Sequence, residues 1–335
     1  MRERLWDTAR GIGIVLVVYG HMLRGLMDGG MVRGMDALVF SDFAIYTFHM
    51  PLFFILAGMN AAKGLSRPNF LKSKIPSIVY PYLLWSLIQG TIQLSMQGTT
   101  NHSFTLQQLL SILWMPVFQF WFLYAIMLCH VFAWVTTADR LKLGIFALAA
   151  YPVGLYMTGP VAIIGVAMNF FIFYTAGVFL GPYLKEIVER MANPRGLLMT
   201  AIGLTIAIFV ASRVGTYRAP SALSAAFLGS LLVLQLARLL PEGGMLRMVE
   251  LLGQASMPIY LMHIMGTAGA RIFLLKLHIT NVGIHLVFGV LCGLLLPLLA
   301  FYLSYLTRKE HWFGFGGGEQ AFGGFGAARV GKNVS

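Results

Sequence analysis

The chain has 335 residues, 58% of them hydrophobic and only 11% charged, with a mean hydropathy of +0.77. Ordinary soluble domains carry about 25% charged side chains, so a soluble two-domain protein of this length is excluded. The net charge of +12 is then the surplus of Lys and Arg that membrane proteins keep in cytoplasmic loops, and not a nucleic-acid footprint.

A helix crosses the hydrocarbon with about 20 apolar residues. In chain order the apolar runs are 11–27, 43–62, 75–96, 109–136, 142–157, 161–181, 196–213, 220–239, 256–275 and 284–306. None alternates in polarity as a barrel strand does. The expected fold is therefore all-α: a polytopic integral membrane protein of about ten transmembrane helices. The first run lacks a small-residue cleavage pattern and is read as a retained helix rather than a signal peptide. Pro116 is expected to kink the fourth run or to open it as a re-entrant segment. Thr158-Gly159-Pro160 reads as the turn between the fifth and sixth. With the N-terminus in the cytoplasm, only Arg24, Arg33, Arg213, Arg218, Arg271 and Lys276 of the 24 Lys and Arg fall on the opposite side. That asymmetry favours both termini inside, in a bacterial inner membrane. Cys129 and Cys292 lie inside apolar runs and imply no disulfide framework. Residues 1–310 form the membrane domain. From His311 to residue 335 the chain turns Gly- and Phe-rich, a composition that predicts a disordered cytoplasmic tail.

Ionisable groups at membrane depth are costly and mark function. No carboxylate falls inside the apolar runs, but His21, His49, His130, His263 and His285 do. Histidine can rest neutral in lipid and still move protons. Arg10 and His21 are eleven residues apart, which is about three helical turns on one face and a rise of about 16 Å. A cation at the rim with an imidazole deeper in suits a long ligand that has an anionic head and a reactive far end: guanidinium forks onto phosphate, and imidazole acts as general base. The competing reading makes Arg10 a positive-inside anchor and His21 an interhelical hydrogen-bonding residue. His49, followed by Pro51 and Gly58, and His263 are candidates for the same site, whereas His130 and His285 read as packing residues. Asp28 and Asp42 each lie seven residues from a candidate histidine, at the far-side mouth. No spacing of ligands suggests a metal.

These residues resemble the acyltransferase 3 family of membrane enzymes. Leu5-Trp6-Asp7-Thr8-Ala9-Arg10-Gly11-Ile12 followed by His21 is similar to its first-span signature. Phe48-His49-Met50-Pro51-Leu52-Phe53-Phe54-Ile55-Leu56-Ala57-Gly58 resembles its second-span motif, with Ala57 where serine is usual. Phe120-Trp121-Phe122-Leu123 and Gly253-Gln254-Ala255-Ser256 with Tyr260-Leu261-Met262-His263 resemble later elements. The resemblance covers residues 4–308. The family often carries two basic residues three apart before the third span; here Lys74 takes the first position and Ser77 the second.

The resemblance implies acyl transfer across the membrane: acetyl from cytoplasmic acetyl-CoA to a hydroxyl of a sugar or surface polysaccharide on the far side. No permanently bound cofactor is expected, since acetyl-CoA is a substrate. The partners are acetyl-CoA, a glycan acceptor and membrane lipid, with no nucleic acid. The candidate catalytic residues are His21 as general base, with His49 or His263 donating to the oxyanion; Arg10, Lys72 and Lys74 are the expected donor-binding cations. Interrupted helices with midplane histidines also describe a transporter or permease of a polysaccharide export system, and basic loops describe a flippase or docking scaffold. Acceptor identity, acyl length and oligomeric state are not legible.

Overall fold

In hydrocarbon every backbone polar group must be satisfied within its own segment, so apolar runs wind into helices. The computed structural model describes residues 4–96, 103–136 and 139–323, and among them there are helices and no strand. Among the described residues, eight helical segments are long and apolar enough to cross a membrane. Their outward faces carry Met199, Ile206, Val287 and Leu295, all more than half exposed. An exterior of this kind requires lipid around it.

The chain divides into two compact units. The first holds α1 (Arg4–Asp28), the opening turns of α2 (Asp36–Ala61), α10 (Gly244–Gln254), α11 (Ser256–Lys276), α12 (Val282–Leu306) and α13 (Gly318–Phe322). α1 has no proline, so the ladder runs unbroken from Arg4 to Asp28. Gly29 and Gly30 end it, Gly30 at φ 71°, where a glycine satisfies the last carbonyls without steric cost. Three faces of α1 are used. Asp7 and Gly11 meet α10, Val18 and Met22 meet the glycines of α12, and His21 and Gly25 meet α11.

The crossing of α1 and α10 is a backbone-to-backbone contact. A Cβ on Gly253 would lie 1.7 Å from the Asp7 carbonyl oxygen, and one on Gly11 would lie 2.0 Å from that of Val249. Arg4 closes the crossing with an ion pair to Glu250 at 2.9 Å.

The second unit holds the rest of α2 with α3 (Tyr80–Ser95), α4 (Leu106–Leu110), α5 (Trp121–Val135), α6 (Arg140–Tyr156), α7 (Ala162–Met191), α8 (Pro194–Val214) and α9 (Leu223–Leu239). α2 and α7 cross as closely as α1 and α10, with Gly58 against the Tyr174 carbonyl and Gly177 against that of Ile55.

Three expectations change. The run at 75–96 gives an α-helix of only 16 residues, because Lys72–Val79 around Pro76 winds as 3-10 and π turns instead. The run at 109–136 is broken rather than kinked: α4 and a 3-10 turn stop at Leu113, Pro116 is non-helical, and Phe118 takes φ 51° before α5 begins. The Gly/Phe-rich segment is not featureless from His311 onward. Phe315 and Phe322 are buried, their rings 5.7 and 5.0 Å from Phe301, and the Tyr305 hydroxyl donates to Glu319 at 3.2 Å. Aromatic burial against α12 outweighs the glycine content there. Residues 324–335 lie outside the described residues.

Gly253→Ala or Gly11→Ala drives a methyl into a facing carbonyl and should cost about 1–3 kcal/mol. Thermal unfolding in detergent checks this. Gly269→Ala, which meets nothing within 4 Å, is the control and should be neutral or slightly stabilising.

Candidate active site

The unbroken helix keeps Arg10 and His21 about three turns apart on one side of α1. α11 brings His263 to the same level: the two imidazole centroids are 5.0 Å apart, tilted by 57°. His21 is partly open and His263 is fully buried. His263 Nδ1 donates to the carbonyl oxygens of Tyr260 at 2.8 Å and Ile259 at 3.2 Å. A carbonyl can only accept, so the proton sits on Nδ1 and Nε2 carries the lone pair. Among the described residues that Nε2 has no hydrogen-bond partner. A buried acceptor without a partner is costly and calls for an explanation.

The same tautomer redefines the role expected of His263. A neutral imidazole whose N–H is committed to the backbone has none to offer an oxyanion, so in this geometry His263 accepts and does not donate.

Arg10 is buried, and its Nη1 binds Asp7 Oδ1 at 2.7 Å. Its charge is already balanced one turn away, so the N-terminal end of α1 carries an ion pair rather than a lone cation. Toward the other end of α1, Arg24 pairs with Asp42 at 2.9 Å. Arg271 Nη1 donates to the Gly25 carbonyl at 2.8 Å. Since His21 faces His263 and Gly25 faces Arg271, α1 and α11 run parallel.

The second unit holds His49, Lys72 and Lys74. His49 is buried on α2, its Nδ1 donating to Ile45 at 2.7 Å and its ring edge-on to Tyr46 at 4.5 Å. His130 accepts or donates at 2.7 Å with the Tyr174 hydroxyl, against Phe70, and His285 Nε2 binds the Ile279 carbonyl at 2.8 Å. His285 keeps a buried Nδ1 with no hydrogen-bond partner among the described residues.

The loop that follows α2 folds around a cavity of about 340 Å³ lined by Asn60, Lys63, Gly64, Arg67, Asn69, Phe70, Ser73 and Lys74. Three cations and no carboxylate line it, a charge balance that favours anions. Lys74 lies over the Phe70 ring, 4.8 Å from its centroid, and burial pulls its ammonium below the ordinary lysine value. Lys72 points away, exposed and not part of the lining. Lys63 and Arg67 take its place. Their signal was in the sequence, as a charge cluster beside Asn60 and Asn69, but loop cations read first as orientation markers.

A model of the acyltransferase 3 family, described as an acyltransferase domain, matches residues 5–306. Among curated proteins the chain is similar to nodulation protein NolL of Mesorhizobium japonicum, 29% identical over 163 residues, covering 45% of this chain and 41% of that protein. It is also similar to nodulation protein NolL of Sinorhizobium fredii, 26% identical over 203 residues, covering 59% of this chain and 54% of that protein. The chain thus spans about half the length of the curated relatives it matches. No solved structure matches.

Because the Lys74 pKa is lowered, this lysine loses its charge at a lower pH than an exposed one, and anion affinity at the cavity should fall as pH rises through that value. Sulfate, whose charge is constant above neutrality, is a suitable probe. The stabilisation it gives in thermal melts should decline with rising pH in the unsubstituted protein, starting below the range where an exposed lysine titrates, and stay flat in Lys74→Arg.

Proposed function

The chain belongs to the acyltransferase 3 family, and from that premise we propose that it is a membrane O-acyltransferase. In this reading it moves acetyl from cytoplasmic acetyl-CoA to a hydroxyl of a sugar or surface polysaccharide on the far side, in the bacterial inner membrane with its N-terminus inside. The observation that carries the proposal is the imidazole pair at 5.0 Å, with one ring partly open and the other buried and bare at Nε2.

The chemistry follows from that pair. His21, the accessible ring, takes the proton from the acceptor hydroxyl. The resulting alkoxide attacks the thioester carbonyl, and a tetrahedral oxyanion forms. As it collapses, the C–S bond breaks and the thiolate leaves with the proton that His21 held, giving the ester and free coenzyme A. While His21 is an imidazolium, its second N–H needs an acceptor, and Nε2 of His263 supplies one. His263 is therefore a positioning residue, set in turn by the backbone carbonyls of Ile259 and Tyr260. This is the arrangement of a base oriented by a third group, built with a neutral orienter suited to a low-dielectric site.

Phosphate recognition is assigned to the basic cavity of Lys63, Arg67 and Lys74. Arg10, already tied to Asp7, would meet an anion only by exchanging one carboxylate for another negative group. His49 is kept as a candidate catalytic residue from the second-span motif.

Labelled-acetyl transfer from acetyl-CoA by purified protein tests the proposal, together with mass spectrometry of surface polysaccharide with and without it. His21→Ala should lower transfer by about 10²–10⁴-fold with membrane insertion and melting unchanged. His263→Ala should lower it less and shift the pH–rate profile. Full transfer in His21→Ala would end the proposal.

A further inference from the structure

At the end of α1 opposite Arg10, the first unit gathers charged groups that the transfer chemistry leaves unused. Arg24, one turn beyond His21, grips Asp42 at two points, Nε to Oδ1 at 2.9 Å and Nη2 to Oδ2 at 3.1 Å. Arg271, about two turns beyond His263, reaches back to the Gly25 carbonyl. The hydroxyls of Tyr19 and Ser41 meet at 3.0 Å on the same stretch of α1 and α2. Asp42 and Arg271 are only 8% and 7% exposed, so these are not solvated surface charges.

A buried ion pair is a weak device for stability, because desolvation offsets most of the attraction. What a forked guanidinium–carboxylate pair does provide is donors and acceptors side by side in fixed geometry. Neighbouring hydroxyls on a sugar ring need that combination, since each hydroxyl both donates and accepts. The group begins one helical turn from the half-open imidazole, so a ligand bound there would present a hydroxyl to His21.

We propose that Arg24, Asp42 and Arg271 form the acceptor subsite, binding vicinal hydroxyls of a saccharide so that its reacting oxygen lies against His21. This rests on the acyl-transfer reading and assigns the part of it that sets acceptor choice.

The test uses a host strain lacking the chromosomal copy, complemented with the full chain or with Arg24→Gln, Asp42→Asn or Arg271→Gln. Ester-linked acetate on the surface glycan should fall by roughly ten- to a hundredfold in each variant, the loss expected for hydrogen bonds to charged groups. Coenzyme A should raise the melting temperature of each purified variant by as much as that of the unsubstituted protein. The double exchange Arg24→Asp with Asp42→Arg keeps the ion pair. It should melt normally yet remain deficient in glycan acetate, because donors and acceptors have traded places. Glycan acetate restored by the exchange, acetate unchanged in the single variants, or loss of the coenzyme A effect alongside acetate would each overturn the subsite while leaving acyl transfer standing. Absence of ester acetate with the unsubstituted chain would instead refute acyl transfer, and the subsite with it.

Discussion

One proton decides what the first unit can do. The carbonyls of Ile259 and Tyr260 hold it on Nδ1 of His263, and the opposite nitrogen is left as a lone pair in an interior with no described partner. The tautomer is set by the hydrogen bond that the other ring nitrogen makes. A helix supplies acceptors for such a bond naturally, since the carbonyls three and four residues back lie beside the side chain. The His263 position on α11 is therefore enough to set its protonation. Its packing against α1 sets that ring 5.0 Å, centroid to centroid, from the ring of His21.

Charge is distributed along α1 on the same principle. Arg10 is buried with its own counter-ion one turn away, and the partly exposed Arg24 is matched by the buried Asp42, so neither ion pair leaves an uncompensated buried charge. The unmatched cations sit elsewhere, in the loop after α2, where Lys63, Arg67 and Lys74 line a cavity without a carboxylate. A carboxylate-free group of cations in a loop is the arrangement expected where an external anion binds.

The sequence made α1 readable almost whole, because a proline-free apolar run has one stable conformation in lipid and fixes the Arg10–His21 spacing. The fold class followed from composition for the same reason. The pairing of His21 with His263 was visible only as two separate motifs, since contact between distant helices is a packing outcome that no local period encodes. The break at Pro116 was legible as a break, but not the loss of helix from Trp114 to Val117. The folding of Phe315 and Phe322 onto α12 was missed because glycine content argues for disorder while two buried aromatics argue more strongly against it. Lys72 and Lys74 looked equivalent in the sequence. The 3-10 turn at Lys72–Lys74 turns one into the cavity and the other out, a distinction of rotation about a helix axis that residue type does not carry.

The motifs that first suggested chemistry turn out to mix two kinds of constraint. Arg10 and His21 are in the first-span signature for their side chains. Gly11 is there for the lack of one, because α10 passes so close that a methyl would strike the Val249 carbonyl. In the late motif Gly253 meets the Asp7 carbonyl in the same way, while His263 ten residues on supplies the imidazole. The two glycines bring α10 against the first turns of α1, and α10 is followed at once by α11. That close crossing fixes where α11 starts relative to α1, and hence the level at which His263 stands beside His21. Small residues at a helix crossing and a reactive pair further along the bundle are therefore one device: the glycines set the height at which the two imidazoles meet.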